Sequence, residues 1–214
     1  IEDPVEYHVF GTTQVGINEA IGLTFSSVLR NVLRQDPDVI MVGEIRDRDT
    51  ADIATRAALT GHFVLSTLHT NNTVATITRL LDIGLEPYLV VAAVTGIMAQ
   101  RLVRRICKNC IAPVDPPDII DDLKFAKINN FFRGRGCSEC KYTGYKGRIG
   151  VYEMLMLNLE LKKKIIQGVS EEDLLAAARE FGFETMFEDA CAKVDSGYTT
   201  FEEILTKVPY EYVT

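Results

Sequence analysis

The sequence lacks three features that would each point to a broad class of protein. It has no excess of positive charge, because 23 Lys and Arg face 30 Asp and Glu and the formal net charge is −7. A broad nucleic-acid-binding surface is therefore absent. Its longest apolar run, residues 89–99, is interrupted by Thr95 and Gly96 and is about half as long as a membrane-spanning helix. It begins at Ile1 without an initiator Met or a signal-peptide pattern, so we expect a globular piece of a longer protein without a membrane span.

The composition is that of an ordinary folded protein. Hydrophobic residues make up 47% and charged residues 25% of the 214 positions, which disfavours disordered, collagen-like and coiled-coil chains. The length fits one domain with a small appendage or two small domains. Five cysteines, four of them in two C-x-x-C pairs, suit a metal site in a reducing compartment better than secreted disulfides. We therefore expect a cytoplasmic protein.

Strands and helices alternate in the first hundred residues, which indicates a parallel sheet. Two short apolar runs, Val39–Val42 and residues 62–68, are typical of parallel strands buried on both faces. Residues 5–18 alternate imperfectly and indicate a hairpin or an extended segment. Helical spacing with cap and stop signals predicts helices over 25–35, from a cap at Asp49 or Thr50 to 59, over 74–82 and over 87–104. The same signals predict a last strand over 148–153 and helices over 161–167, 171–181, 186–194 and 201–205.

Two C-x-x-C pairs form the strongest local signal. The four cysteines are Cys107, Cys110, Cys137 and Cys140. Each pair can occupy one edge of a tetrahedron, and Zn²⁺ favours four sulfur ligands in a closed structural site. Four unrelated thiols are the alternative, but glycines near the second pair favour a knuckle turn; they are Gly134, Gly136, Gly144 and Gly147. Because four cysteines leave no coordination position for water, the metal is expected to be structural rather than catalytic.

Basic residues around the cysteines raise a second interpretation, because zinc ribbons can also bind nucleic acid. These residues are Arg101, Arg104, Arg105, Lys108, Arg133 and Arg135. Few aromatic side chains are interleaved with them for base stacking, and the acidic remainder of the chain would repel phosphates. We expect no direct nucleic-acid partner and expect these residues to pair with acidic groups of a neighbouring surface.

Polar side chains follow both predicted parallel strands. Glu44 comes directly after the first strand, in the form of a Walker B strand that delivers a carboxylate to Mg²⁺ and an attacking water. His69 follows the second strand beside Thr67, and an imidazole can donate to a developing charge near neutral pH. Ligands of parallel sheets bind at this carboxyl edge. The alternative for Glu44 is a carboxylate stabilised by the dipole of the helix that starts near Asp49. An acidic cluster strengthens the phosphate-site interpretation; its members are Glu2, Asp3 and Glu6.

Five segments together resemble the type II secretion and type IV pilus assembly ATPases. They are IEDPVEY at 1–7, LRQDPD at 33–38, GEIRD at 43–47, AALTGH at 57–62 and STLHTN at 66–71. In that family the first is the acidic box, the segment with Glu44 is Walker B and the segment with His69 is the His box. The cysteine pairs resemble the zinc module of assembly-type members, and residues 193–203 resemble the family's C-terminal end. The resemblance covers essentially the whole chain.

The resemblance implies a homohexameric ATPase at the cytoplasmic face of a bacterial inner membrane. It would bind ATP and Mg²⁺, power type II secretion or type IV pilus assembly, and contact platform and adaptor proteins as a peripheral membrane protein. Glu44 would act through Mg²⁺ and water, and His69 with Thr67 would sense the phosphate. Glu2 or Glu6 would polarise the water or complete the metal shell, and the division of labour among Glu2, Asp3 and Glu6 stays open.

The resemblance also implies an α/β fold in three parts. Residues 1–104 are expected to form a partial RecA-like P-loop NTPase core with a parallel sheet. Residues 105–148 are expected to form a four-cysteine zinc knuckle. Residues 149–214 are expected to supply the last core strand and a C-terminal helical subdomain.

One motif of that family is absent from this sequence. Walker A, G-x-x-x-x-G-K-[ST], cradles the phosphates with backbone N–H groups and a Lys, and here no Lys is followed by Ser or Thr. Because the family places this loop before the acidic box, we expect it upstream of Ile1. These 214 residues alone are then expected to bind ATP weakly or not at all. The alternative function is a non-catalytic, zinc-stapled interaction module of a secretion or pilus complex.

Overall fold

The computed structural model describes residues 1–117 and 128–209, which divide into two compact units. The first unit comprises Ile1–Thr70, Val74–Ile97 and Met156–Ala177. The second comprises Asn71–Thr73, Met98–Leu155 and the chain from Ala178 on. The three-part division at residues 104 and 148 stays a prediction.

Helices and strands alternate through the first half of the chain, and helices follow the last strand. In chain order the elements are α1 (Phe25–Val32), β1 (Val39–Val42), α2 (Arg48–Leu59), β2 (Phe63–Ser66), α3 (Thr73–Asp82), α4 (Pro87–Ala93), β3 (Gly96–Ile106), β4 (Ile111–Val114), β5 (Phe131–Gly134), β6 (Tyr145–Met156), α5 (Leu159–Gln167), α6 (Glu171–Arg179), α7 (Met186–Asp195) and α8 (Phe201–Lys207). The predicted strands at 39–42 and 148–153 and the predicted helical tail are confirmed. No helix of the described ranges is both long and apolar enough to cross a membrane.

The first unit is built around a parallel pair of strands, as the sequence predicts. β1 and β2 pair in register from Val39 opposite Phe63 to Val42 opposite Ser66. Ile40 and Val42 are buried on one face, where they belong to a core cluster that includes residues of α1 and α2. The sheet thereby aligns the carboxyl ends of both strands at one edge.

The expectation that these strands are buried on both faces is wrong in this structure. Four apolar side chains alternate along the opposite face and are 47–61% exposed; they are Val39, Met41, Phe63 and Leu65. A continuous apolar run shows that both faces of a strand are hydrophobic, but it does not show what covers each face. Here α1 and α2 contribute to the core on one side only.

Local capping explains where the first two long helices begin. Thr24 and Ser27 form a reciprocal capping box at the start of α1. At α2 the N-cap is Asp47 rather than Asp49 or Thr50, because the Asp47 carboxylate accepts from the Thr50 backbone N–H at 2.8 Å. Residues 5–18 contain a turn closed by the hydrogen bond from Thr12 N to Val9 O, and this segment holds no strand pair of a hairpin. Glu2 pairs with residues 15–17 through two backbone hydrogen bonds, from Glu2 N to Val15 O and from Ile17 N to Glu2 O.

The predicted helix over 87–104 is wrong in its second half. α4 ends at Ala93, and β3 begins at Gly96 and pairs with β6. Apolar residues continue on both sides of the break, so hydrophobic spacing alone did not separate the helix from the strand. Thr95 and Gly96 mark the break, and pairing with a strand almost fifty residues away decides the conformation that follows.

The second unit packs helices α7 and α8 against its strands. Its core cluster contains Val103 of β3, Val151 of β6 and Phe187 of α7, and the Phe131 and Phe201 rings meet edge to face at 6.0 Å. β4 and β5 form an antiparallel pair. The turns at the ends of this pair carry the four cysteines.

Candidate functional site

Glu44 and His69 lie together at the carboxyl edge of the parallel strands. Glu44 follows β1 and His69 follows β2, and His69 Nε2 lies 3.1 Å from Glu44 Oε2. Arg46 donates through Nε to the same carboxylate oxygen. The Glu44 side chain is 13% exposed, whereas the Arg46 and His69 side chains are 62% and 85% exposed. The site therefore holds a semi-buried anion beneath two solvent-facing donors.

Thr67 joins the ends of the two strands. Its hydroxyl donates to Gly43 O at 2.6 Å, and its own carbonyl accepts from Ile45 N at 3.0 Å. These bonds bracket Glu44 on both sides along the backbone. Thr67 thus fixes the peptide that carries the carboxylate, although its hydroxyl is bonded to backbone rather than aimed at Glu44.

The electrostatics of the site favour an ionised Glu44. The hydrogen bond from Arg46 lowers the pKa of Glu44 most, and the His69 contact lowers it further against the opposing effect of burial. A carboxylate held in this way stays charged at neutral pH. It is suited to attracting a cation or orienting water rather than to carrying a proton away.

The acidic cluster near Ile1 is placed beside the same edge through the backbone. Gly43 N donates to Ile1 O at 2.8 Å, so the first residues run along the end of β1. The Glu2 carboxylate accepts from Gln14 Nε2 at 2.8 Å, and Asp3 adds to the charge that raises the pKa of Arg46, after the larger effect of Glu44. Glu6 is exposed. The structure thus brings Glu44 and His69 into contact and bonds Thr67 to Gly43 and Ile45 on either side of Glu44, but it shows no contact of the three acidic side chains with Glu44 or His69.

The four cysteines converge on one point of the second unit. Their sulfur atoms all lie within 4.8 Å of one another. Three pairs are separated by 3.8–3.9 Å: Cys107 with Cys137, Cys110 with Cys140, and Cys137 with Cys140. Metal–sulfur bonds of about 2.3 Å in a tetrahedral site place the sulfurs about 3.8 Å apart. The thiols therefore fit a tetrahedral zinc-type site.

The pKa values of two of the thiols fit a site that binds a cation. The pKa of Cys110 rises to about 11 because of burial and the neighbouring sulfurs. The pKa of Cys140 falls to about 6, because backbone N–H groups of Cys137 and Gly144 and the neighbouring thiols outweigh the opposing effect of burial. Four adjacent thiols resist joint ionisation without a compensating positive charge, and a divalent metal supplies that charge.

Close backbone approach explains the glycines that the sequence singles out near the knuckle. A Cβ on Gly134 would lie 2.1 Å from Gly144 O, the same oxygen that accepts from Cys107 N at 2.9 Å. Gly136, Gly144 and Gly147 have positive φ, which side chains rarely adopt. The four-cysteine cluster predicted from the cysteine spacing is therefore present, and these glycines permit the close backbone approach around it.

The basic residues around the cysteines are in part paired within this chain. Arg104 binds Glu203, and Arg133 binds Glu202. Arg104 also stacks over the Tyr145 ring at 4.1 Å. These intrachain pairs account for two of the six basic residues that the sequence singles out.

A family model described as type II/IV secretion system protein matches residues 1–206. This chain belongs to that family. Among the curated relatives, the type IV pilus assembly ATPase PilB of Thermus thermophilus is 46% identical over 212 residues, which are 97% of this chain and 24% of the relative. The type II secretion system protein HxcR of Pseudomonas aeruginosa is 46% identical over 205 residues, 96% of this chain and 41% of the relative. The chain thus spans between about a quarter and two fifths of the length of these family members.

Solved structures of similar fold agree with this family assignment. The pilus retraction motor PilT, determined with bound ADP, superposes with a TM-score of 0.68 at 28% identity, over 96% of this chain and 50% of PilT. The ATPase DotB of Legionella pneumophila has a TM-score of 0.64 at 22% identity, over 95% of this chain and 49% of DotB, and supports the fold alone. The predicted α/β class with a partial RecA-like core, a four-cysteine cluster and C-terminal helices is confirmed.

Sequence reasoning gave no role to two residues that the structure makes prominent. Arg46 is part of the GEIRD segment, and its position two residues after Glu44 was the signal in the sequence that could have indicated its role. Glu153 is buried in β6 and binds backbone 80 residues away at Thr73. No local pattern in the sequence predicts the contact of Glu153 with Thr73.

Proposed function

We propose that this chain is the C-terminal part of a hexameric ATPase that powers type II protein secretion or type IV pilus assembly. The observation that carries the proposal is the contact of Glu44 with His69 at 3.1 Å, at the carboxyl edge of parallel strands. In α/β sheets this edge is where phosphate ligands bind. The relatives named as pilus assembly ATPases support the same activity.

The proposed site assigns a role to each polar group of this edge. Bound Mg²⁺ and ATP would supply the reactive phosphoanhydride and the charge that neutralises it. Glu44 would attract the cation and orient water, and its low pKa keeps it ionised for that task. His69 would donate toward the phosphate, and Thr67 would hold the peptide of Glu44 in place. Glu2 or Glu6 would polarise the water or complete the metal shell, and Asp3 would help to bind the cofactor.

A second element of the proposal is a structural Zn²⁺ held by Cys107, Cys110, Cys137 and Cys140. Sulfur spacings of 3.8–3.9 Å support tetrahedral coordination. Four sulfur ligands leave no position for substrate water, so the ion would stabilise the fold of the knuckle rather than take part in hydrolysis. The working protein would be a homohexamer at the cytoplasmic face of the inner membrane, bound to platform and adaptor proteins.

The test is ATP turnover by the full-length protein with Glu44→Gln. The substitution keeps the shape of the side chain but removes its charge, and we expect kcat to fall by about 10²-fold or more. Glu86→Gln is the matched control, since Glu86 is an exposed carboxylate of the same unit whose side chain makes no cap hydrogen bond. Phosphate release measured over a range of ATP concentrations gives kcat and KM for all three proteins.

Two results would overturn the proposal. Wild-type turnover in the Glu44→Gln protein would remove Glu44 from the reaction. Absence of turnover in the full-length wild-type hexamer would favour the non-catalytic, zinc-stapled interaction module.

A further inference from the structure

Arg46 is the charged partner of Glu44 within the first unit. Its Nε donates to Glu44 Oε2, the same oxygen that lies 3.1 Å from His69 Nε2. Among the described residues, Glu44 is the only group to which the Arg46 side chain is hydrogen-bonded. The guanidinium therefore neutralises the carboxylate to which the proposed function assigns a cation.

The backbone on either side of Arg46 is fixed, whereas its side chain is held by Glu44 alone. Ile45 N donates to Thr67 O at 3.0 Å, and Asp47 is the N-cap of α2. The Arg46 side chain is 62% exposed. Its departure from Glu44 therefore breaks a surface ion pair and requires no rearrangement of the backbone or of the core.

Other negative charges of the first unit also act on Arg46. The pKa of Arg46 is raised mainly by the hydrogen bond and the charge of Glu44, and further by the charges of Asp3 and Glu19, against the opposing effect of burial. All of these residues belong to Ile1–Thr70. A guanidinium that leaves Glu44 thus remains in a region of negative potential.

We propose that Arg46 and a divalent cation are alternative partners of Glu44, and that Arg46 thereby weakens cation binding to the site when no nucleotide is bound. Two positive groups at one carboxylate repel each other strongly when they are only a few ångströms apart. The Glu44 side chain is 13% exposed, so its charge is partly desolvated and needs a counter-ion when no metal is present. This inference rests on the proposed function, in which Glu44 attracts the cation.

The opposite role for Arg46 would be to support the metal site. Groups that hydrogen-bond to a metal-ligating carboxylate can orient it and raise its affinity for the metal. The structure favours competition, because Arg46 brings a full positive charge and no second carboxylate contacts Glu44 among the described residues. The Arg46–Glu44 pair is therefore neutral, and competition and support predict changes of opposite sign when Arg46 is replaced.

Competition also has a consequence for the order in which ligands bind. A phosphate anion that arrives with the cation attracts the displaced guanidinium, because Arg forms strong charge-assisted hydrogen bonds to phosphate oxygens. The site would then accept a cation bound to a nucleotide in preference to a bare cation.

The test is Mn²⁺ binding to the full-length, nucleotide-free protein with Arg46→Gln, followed through the electron paramagnetic resonance signal of free Mn²⁺. Glutamine keeps a hydrogen-bond donor but removes the charge, and the exposed position makes the variant compatible with folding. We expect the Kd for Mn²⁺ to fall by about tenfold, since a hydrogen bond between charged groups no longer has to be broken. Arg46→Lys keeps the charge and should stay within about threefold of wild type.

Arg56→Gln is the matched control. Arg56 lies in the same unit, its side chain is 69% exposed, and its Nε donates to the Asp52 carboxylate at 2.7 Å. It has no contact with Glu44 among the described residues, so its replacement should leave the Kd for Mn²⁺ within about twofold of wild type. The double variant Glu44→Gln/Arg46→Gln should lose the tighter binding, because the carboxylate that Arg46 occupies is gone.

A second measurement uses a non-hydrolysable ATP analogue premixed with Mn²⁺. Its Kd, measured by calorimetry, should not fall in Arg46→Gln, because the guanidinium freed from Glu44 contributes to binding the phosphate in wild type. Tightening of this complex by the same factor as bare Mn²⁺ would contradict the preference for a nucleotide-bound cation.

The inference is overturned if Arg46→Gln binds Mn²⁺ no more tightly than wild type, and weaker binding would assign Arg46 the supporting role. It is also overturned if the tighter binding persists after Glu44 is replaced. Failure of the proposed function gives a different pattern, in which Glu44→Gln retains ATP turnover while Arg46→Gln still tightens Mn²⁺ binding through Glu44. The two ideas can therefore fail separately.

Discussion

Gly134→Ala is the sharpest test of the knuckle, because the substitution adds one methyl group at a place without room for it. The new Cβ would lie 2.1 Å from Gly144 O and 2.6 Å from Gly144 Cα. Gly134 does not have positive φ, so alanine meets no conformational penalty there and the whole cost is steric. The Gly144 carbonyl oxygen must move by at least 1.3 Å to reach ordinary contact, and we expect its hydrogen bond to Cys107 N to be lost.

Two contributions make up the expected loss of free energy of zinc binding. Overpacking of a closed site costs about 1–3 kcal/mol, and the lost hydrogen bond about 1 kcal/mol, for a total of about 2–4 kcal/mol. The metal-bound knuckle carries this strain, whereas the metal-free knuckle can relax. Zinc affinity should therefore fall by about 30- to 700-fold.

The assay is competition for Zn²⁺ between the protein and a chromophoric chelator at fixed pH. Gly147→Ala is the matched control: Gly147 has φ +80° but open space around its Cβ position, so alanine strains the backbone there without pushing on a sulfur ligand. Equal zinc affinities of the Gly134→Ala and Gly147→Ala proteins would refute the steric argument. Failure of the wild-type protein to bind Zn²⁺ would refute the metal site itself.

Two further predictions concern stability. Phe187 is 1% exposed in the core of the second unit, so Phe187→Ala should lower the free energy of unfolding by about 3–5 kcal/mol in urea titrations. Phe181 is 56% exposed, so the control Phe181→Ala should change it by about 0.5 kcal/mol or less. Similar losses of stability in both proteins would contradict the packing account. For Glu203, burial opposes ionisation but hydrogen bonds from Arg104 outweigh it and lower the pKa, so its stabilising effect is present above the unfolded pKa of about 4.3 and is lost as pH falls through the lower folded value. The urea midpoint of Glu203→Gln should lie below that of wild type at pH 7 and approach it in acid. A difference between the two midpoints that grows in acid would contradict this prediction.

Most residues of the candidate site could be predicted from the sequence, because each lies within a few positions of the motif that indicates it. A carboxylate directly after an apolar strand and a His directly after the next one specify the edge at which both lie, since parallel strands end on the same side. The cysteine pairs and their glycines likewise specify a knuckle within a few residues of each sulfur. The roles of Glu2, Asp3 and Glu6 stay predictions, because no contact of their side chains with Glu44 is present among the described residues.

The conformation of segments that pair with distant parts of the chain could not be predicted in this way. Residues 96–104 follow a helix with continued apolar spacing, yet they form β3 because β6 offers a pairing partner. The exposed face of β1 and β2 is a second case. The apolar sequence of these strands does not specify which elements pack on each face.

The sequence by itself determined local features of this protein: the strands β1 and β2, the helical tail, the four cysteines that converge, and the residues at the ends of β1 and β2. The tertiary structure alone decided the contacts that span the chain. Glu153 meets Thr73 across 80 residues and Met186 across 33. A buried carboxylate needs donors from whatever packs around it, and only the folded chain selects which backbone groups those are.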